Sequence, residues 1–160
     1  MATIAIGKNA PDFALPTDSG ALFRLSEQRG TPVILFFYPA DDTEGCTIEN
    51  IEFTAQMPAF GKLGAKVVGI SPDSVEKHCA FRDKYNLGII LAADPEHQAI
   101  EAYGVWGAKT NFGRPYVGLI RTSFLVGRDG KIAGIFPVPR IKGHAGKVLA
   151  ATRELVGARP

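Results

Sequence analysis

The stretch Val33 to Thr47, VILFFYPADDTEGCT, constrains the chain more than any other. The apolar run Val33 to Phe37 is too short to span a membrane and rich in branched and aromatic residues, the composition of a central strand covered on both faces. Tyr38-Pro39 closes it, because proline has no ladder N–H to offer. Asp41, Asp42 and Thr43 supply N-cap chemistry, and an amphipathic pattern, Ile48, Ile51 and Ala55, starts just after Cys46. Cys46 therefore falls in the first turn of a helix, where unpaired N–H groups and the positive end of the helix dipole favour an anion such as a thiolate. An inert structural thiol is the alternative at such a corner.

The rest of the chain reads as one domain over residues 1–160. A hairpin is expected from Phe13-Ala14-Leu15 across Asp18-Ser19-Gly20 to Leu22-Phe23-Arg24, and Ser26 is expected to cap a short turn ending at Gly30. Pro58 should break the cysteine helix. Lys66 to Ile70 and Ile89 to Ala92 read as strands, with a helix between them opened by Ser71-Pro72-Asp73 and running to about Tyr85. A short helix follows over Pro95 to Tyr103, then a long loop over Gly104 to Gly118 with Trp106, Phe112 and Tyr116 as anchors. Arg121 to Val126 and Lys131 to Phe136 flank the hairpin signal Asp129-Gly130, and Ala145 to Val156 closes as a helix. The order is that of an α/β domain, a central mixed sheet with helices on both faces.

Hydrophobic residues make up 46% and charged residues 21%, an ordinary globular balance that argues against disorder. A net charge of +2 with scattered basic residues does not indicate nucleic acid. No basic, apolar leader and no long apolar run is visible, so the expectation is a cytoplasmic protein with no membrane partner. Cys46 and Cys79 have no second Cys or His at chelating spacing, and neither belongs to a Cys-x-x-Cys pair, which argues against structural zinc and thioredoxin-type disulfide exchange.

Pro39, Thr43 and Cys46 reproduce a Pro-x-x-x-Thr-x-x-Cys loop, and Arg121-Thr122-Ser123-Phe124-Leu125 forms an Arg-Thr-Ser-Phe-Leu strand. With APDFALPT, GISPDS, YGVWG and GRDGKI in the same order, the chain resembles the peroxiredoxins of the PrxQ, or bacterioferritin comigratory protein, branch. The resemblance implies a thioredoxin-like fold with an added N-terminal β-hairpin. It implies a thiol-dependent peroxidase without metal, flavin or haem, acting on hydrogen peroxide and organic hydroperoxides through a sulfenic acid. Thioredoxin or a glutaredoxin-like donor would recycle it, and the molecule would be a monomer or weak dimer. A redox-sensing or holdase protein switched by Cys46 oxidation is the alternative.

In the roles implied, Cys46 is the nucleophile and Arg121 the cation beside it, though a solvated strand-end arginine is the plainer alternative. Thr43 meets the sulfur and the peroxide, or merely caps the helix; Pro39 shields the sulfur. Backbone N–H groups of Gly45 and Cys46 complete the peroxide site. Glu44 departs from the proline of many relatives. Glu49 reads as solvated or capping, His78, His97 and His144 as surface residues, and Trp106 as a packing anchor.

Relatives carry a resolving cysteine five residues after the nucleophile, where this chain has Ile51, or in the helix that here spans Asp73 to Tyr85. Cys79 lies about one turn upstream of that second place and is the candidate resolving cysteine. A one-cysteine cycle closed by an external thiol, and a plain core cysteine, stay open beside it. A Cys46–Cys79 bond would need local unwinding, so in the reduced protein the sulfurs are expected to stand too far apart to bond.

Overall fold

Val33 to Phe37 forms the middle strand of a five-stranded sheet, and all five side chains are buried, as a strand covered on both faces requires. The computed structural model describes residues 4–157 apart from Phe112 and Pro139. We label the strands β1 (Ala14–Pro16), β2 (Leu22–Arg24), β3 (Val33–Phe37), β4 (Lys66–Ser71), β5 (Ile90–Ala93), β6 (Trp106–Asn111), β7 (Arg114–Leu119), β8 (Thr122–Val126) and β9 (Ile132–Pro137). The helices are α1 (Glu44–Ala55), α2 (Met57–Lys62), α3 (Val75–Tyr85), α4 (Gln98–Ala102) and α5 (His144–Gly157).

The sheet order is β5-β4-β3-β8-β9, with β3, β4 and β5 parallel and β8 and β9 antiparallel. Alternation along β3 splits the core in two. Val33, Leu35 and Phe37 join Phe13, Leu15 and Phe23 of the β1–β2 hairpin and Ile100 and Tyr103 at α4 on one face. Ile34 and Phe36 join Phe53 of α1, Phe60 of α2, Phe81 of α3 and Val148 and Leu149 of α5 on the other. The mixed α/β architecture expected from the sequence is thus present, with helices on both faces.

Pro58 separates α1 from α2 as expected, standing in the first turn of the second helix. Gly130 takes the left-handed φ of 80° that the β8–β9 turn requires. Three expectations need correcting. The segment Gly104 to Gly118 is not a loop: Trp106–Asn111 and Arg114–Leu119 pair as an antiparallel hairpin. Its glycines hide the alternation that marks a strand. Trp106 is 41% exposed with its ring 4.6 Å from that of His97, a half-anchored position; the anchor Phe112 lies outside the described residues, and of Tyr116 only the backbone is described. Ser26 caps nothing, because it lies inside the 3₁₀ turn Leu25–Gln28 and its N–H donates to Asp12 Oδ1 at 2.8 Å.

The third correction concerns α1. Its apolar Ile48 and Ile51 are 41% and 42% exposed, while Cys46, Glu49, Asn50 and Phe53 are buried. The helix turns Glu49 inward because the half-buried guanidinium of Arg121 meets it there.

Candidate active site

Thr43 is the N-cap of α1, with an extended φ of −89° and ψ of 157°, so Gly45 and Cys46 lie in the first turn. Their N–H groups have no intrahelical acceptor, which makes that turn a place for negative charge. Asn50 fastens the turn from below, its Nδ2 donating to the Cys46 carbonyl at 2.8 Å. Phe53, one helical repeat further, stacks on Phe36 of β3 at 4.4 Å between ring centroids. The helix is thereby seated on the sheet with Cys46 fully buried beneath it.

Arg121 ends the backbone stretch that leads into β8, and its guanidinium forks. Nη2 donates to Cys46 Sγ at 3.2 Å, and Nη1 donates to Glu49 Oε1 at 2.5 Å. Residues 75 and 72 positions apart in sequence thus meet on one planar cation. Burial works against the charge on Arg121, but Glu49 and then Cys46 more than offset it, and the net shift strengthens its hold on the proton. A solvated arginine is excluded.

Glu49, read from the sequence as solvated or capping, is instead 1% exposed and accepts from Arg121. Burial raises its carboxyl to about 7 despite the opposing pull of Arg121. Among the described residues its Oε2 is buried without a hydrogen-bond partner, which adds to the cost of the charged form. Spacing gave a signal that could have found it: positions 46 and 49 are three apart and share a helix face.

Thr43 is exposed, and its Oγ1 donates to the Ala40 carbonyl at 3.1 Å. It makes no side-chain cap, so the capping alternative falls away. Pro39 is half-buried and follows Tyr38, whose N–H still bonds Ile70 O at 3.1 Å, so the ladder stops where proline begins. Glu44 is exposed in the first turn. Gly45 has little room for a side chain, since a Cβ there would come within 2.8 Å of Ile141 Cδ1 and 3.5 Å of Arg121 Nη2.

Two histidines read as surface residues are buried. His144 shares a 2.8 Å hydrogen bond between Nε2 and Ser123 Oγ and meets Phe53 edge-on. Burial, then Lys147 and Arg121, lower its pKa to about 4. His78 of α3 joins Asp41 through Nδ1 at 2.7 Å and Ala92 O through Nε2 at 3.0 Å. His97 is half-buried. Cys79 is free and half-buried, and its Sγ donates to the Asp18 carbonyl at 3.2 Å; Cys46 is also free. The structure therefore brings Cys46 and Arg121 together, adds Glu49, sets Thr43 and Pro39 in the loop before them, and engages Cys79 elsewhere, with the β1–β2 turn.

Residues 6–135 match the AhpC/TSA family. The chain is 39% identical over 153 residues to peroxiredoxin Bcp of Bacillus subtilis, covering 96% of this chain and 98% of the relative. It is 42% identical over 147 residues to a putative peroxiredoxin bcp of Coxiella burnetii, covering 92% and 97%. Among solved structures, the bacterioferritin comigratory protein of Xanthomonas campestris, studied for alkyl peroxide reduction, superposes with a TM-score of 0.87 at 31% identity over 98% of this chain and 99% of that one. A PrxQ variant from Xylella fastidiosa gives 0.89 at 28% identity over 99% and 100%. The sheet, the hairpin and the helices are thus those of a thioredoxin-like fold, and the chain belongs to the AhpC/TSA family, among the peroxiredoxins of the Bcp and PrxQ kind.

Proposed function

We propose that the protein reduces hydrogen peroxide and organic hydroperoxides with Cys46 as nucleophile, Cys79 as resolving thiol, and thioredoxin or a glutaredoxin-like thiol donor as the source of electrons. The observation that carries the reading is the 3.2 Å contact from Arg121 Nη2 to the buried Cys46 Sγ in the first turn of α1. A guanidinium there favours the thiolate, the reactive form of the sulfur.

The thiolate attacks one peroxide oxygen, an S–O bond forms, the O–O bond breaks, and the second oxygen leaves as hydroxide or alkoxide. Sulfur is oxidised to sulfenic acid and the peroxide is reduced by the same two electrons. The proton of Thr43 Oγ1 is given to Ala40 O, so the oxygen presents lone pairs able to accept the hydroxyl proton of a bound peroxide and turn its oxygen toward sulfur. Arg121 and the N–H groups of Gly45 and Cys46 supply positive potential as charge moves to the leaving oxygen. Pro39 shields one side of the sulfur.

A coupled assay with thioredoxin, thioredoxin reductase and NADPH tests this. Steady consumption of hydrogen peroxide and cumene hydroperoxide over many turnovers is expected. A single equivalent consumed, with no further turnover for any thiol donor, would instead describe a sensor.

A further inference from the structure

Between Pro39 and Thr43, in the loop that delivers Cys46, two adjacent aspartates are bound to α3, the helix that carries Cys79. Asp41 Oδ2 takes His78 Nδ1 at 2.7 Å, with both side chains almost wholly buried, while Asp41 Oδ1 accepts from Tyr38 O–H at 2.6 Å. Its backbone N–H donates to Asp73 Oδ2 at 2.6 Å, just ahead of α3. Asp42 accepts from Tyr85 O–H at 2.6 Å and from Lys84 Nζ at 2.7 Å, at the far end of the helix. To do so it holds a left-handed φ of 60°, a conformation that costs a residue with a Cβ free energy and persists only where surrounding contacts fix it. The loop is thus fastened at both ends of α3.

We propose that Asp41 and Asp42 are positioning residues that clamp the Cys46 loop to α3 and so set the competition between resolution by Cys79 and further oxidation of Cys46; this rests on the peroxidase reading above. In resolution the Cys79 thiolate attacks the sulfenic sulfur, the S–S bond forms as the S–O bond breaks, and the departing hydroxide takes up the proton Cys79 gave up. Cys79 is oxidised as Cys46 is reduced. In the competing reaction a second peroxide transfers one oxygen to the sulfenic sulfur and leaves as water or alcohol.

Resolution needs Cα atoms brought to within about 4.4 to 6.8 Å with matched Cβ directions. In the folded state Cys79 Sγ is engaged with Asp18 O and Cys46 Sγ with Arg121. Forming the bond therefore means releasing both sulfurs and moving the Cys46 loop against α3, a movement that the aspartate contacts resist. The clamp prolongs the sulfenic acid and leaves it open to an external thiol or to more peroxide.

The test treats the reduced protein with one and then ten equivalents of hydrogen peroxide, blocks free thiols, and reads the ratio of Cys46–Cys79 disulfide to sulfinic Cys46 by intact mass. The outer contacts are removed by Lys84→Gln with Tyr85→Phe, both exposed or half-exposed, and the inner one is weakened by His78→Gln; circular dichroism checks the fold. The expected result is a ratio raised about threefold or more in the outer variant, the scale of losing exposed charged contacts, and further in the inner one, with consumption of the first equivalent unchanged. Asp42→Asn, which tolerates the same φ and keeps the Tyr85 contact, should fall between wild type and the outer variant. An unchanged or lowered ratio in both folded variants, or no Cys46–Cys79 disulfide in any of the proteins, overturns the clamp. If no peroxide is consumed by any of them, the peroxidase reading itself has failed.

Discussion

Arg121 serves Cys46 and Glu49 at once, with one guanidinium nitrogen on sulfur and the other on a buried carboxyl. Replacing it with lysine keeps the charge but loses the planar fork, so Cys46 and Glu49 would compete for a single ammonium. Arg121→Lys is expected to slow the reaction of Cys46 with peroxide about 10- to 100-fold, the scale of one charge-assisted hydrogen bond. Stopped-flow rates at neutral pH check it; an unchanged rate means that Arg121 does not act on the sulfur.

Glu49, held near 7, changes charge close to neutrality. As pH rises through that value a second anion appears on Arg121 and weakens its support of the thiolate. Glu49→Gln stays neutral, so above pH 7 its second-order rate with peroxide should exceed that of the wild type, in which the Glu49 carboxylate draws on Arg121. Identical pH profiles would disconnect Glu49 from the reaction.

The same carboxyl and His144 act on stability with opposite signs. Glu49, its folded pKa raised, contributes stability that is present below its ordinary value of 4.5 and lost as pH rises to about 7. His144, lowered to about 4, contributes stability that is present above its ordinary 6.5 and lost as pH falls to about 4. His144→Gln retains a donor toward Ser123 without the titration, so its denaturation midpoint should fall less steeply between pH 6.5 and 4 than that of the wild type. Parallel curves would show that His144 is not held neutral by the fold.

Phe53 seats the active-site helix, stacking on Phe36 and meeting Phe60 and His144. Phe53→Ala should cost about 3 to 5 kcal/mol, a lowering of Tm by roughly 10 °C. Calorimetry reads it; a shift of only about 1 °C would mean α1 is held by other contacts.

The sequence made β3, the cysteine corner and the Arg121 strand legible because each is written in a local run of residues. Long-range pairings were not. Glu49 looks like any solvated glutamate until Arg121, 72 positions away, is folded onto it. His78 and His144 read as surface residues because the groups that bury them, Asp41 and Ser123, are 37 and 21 positions distant. In α1 the apolar pattern pointed the wrong way, since Ile48 and Ile51 face out while the polar side chains go in to meet the cation. The β6–β7 hairpin was hidden by glycines that interrupt its alternation.

The central claim is that Cys46 is the group that peroxide oxidises. The direct measurement is intact mass with peptide mapping after one equivalent of hydrogen peroxide, on wild type and Cys46→Ser. The wild type should carry one added oxygen on Cys46, or the loss of two hydrogens in a Cys46–Cys79 disulfide, and Cys46→Ser should remain unmodified and consume no peroxide while keeping its fold. Peroxide consumed by Cys46→Ser at the wild-type rate, or oxidation mapping to Cys79 with Cys46 intact, would contradict the account.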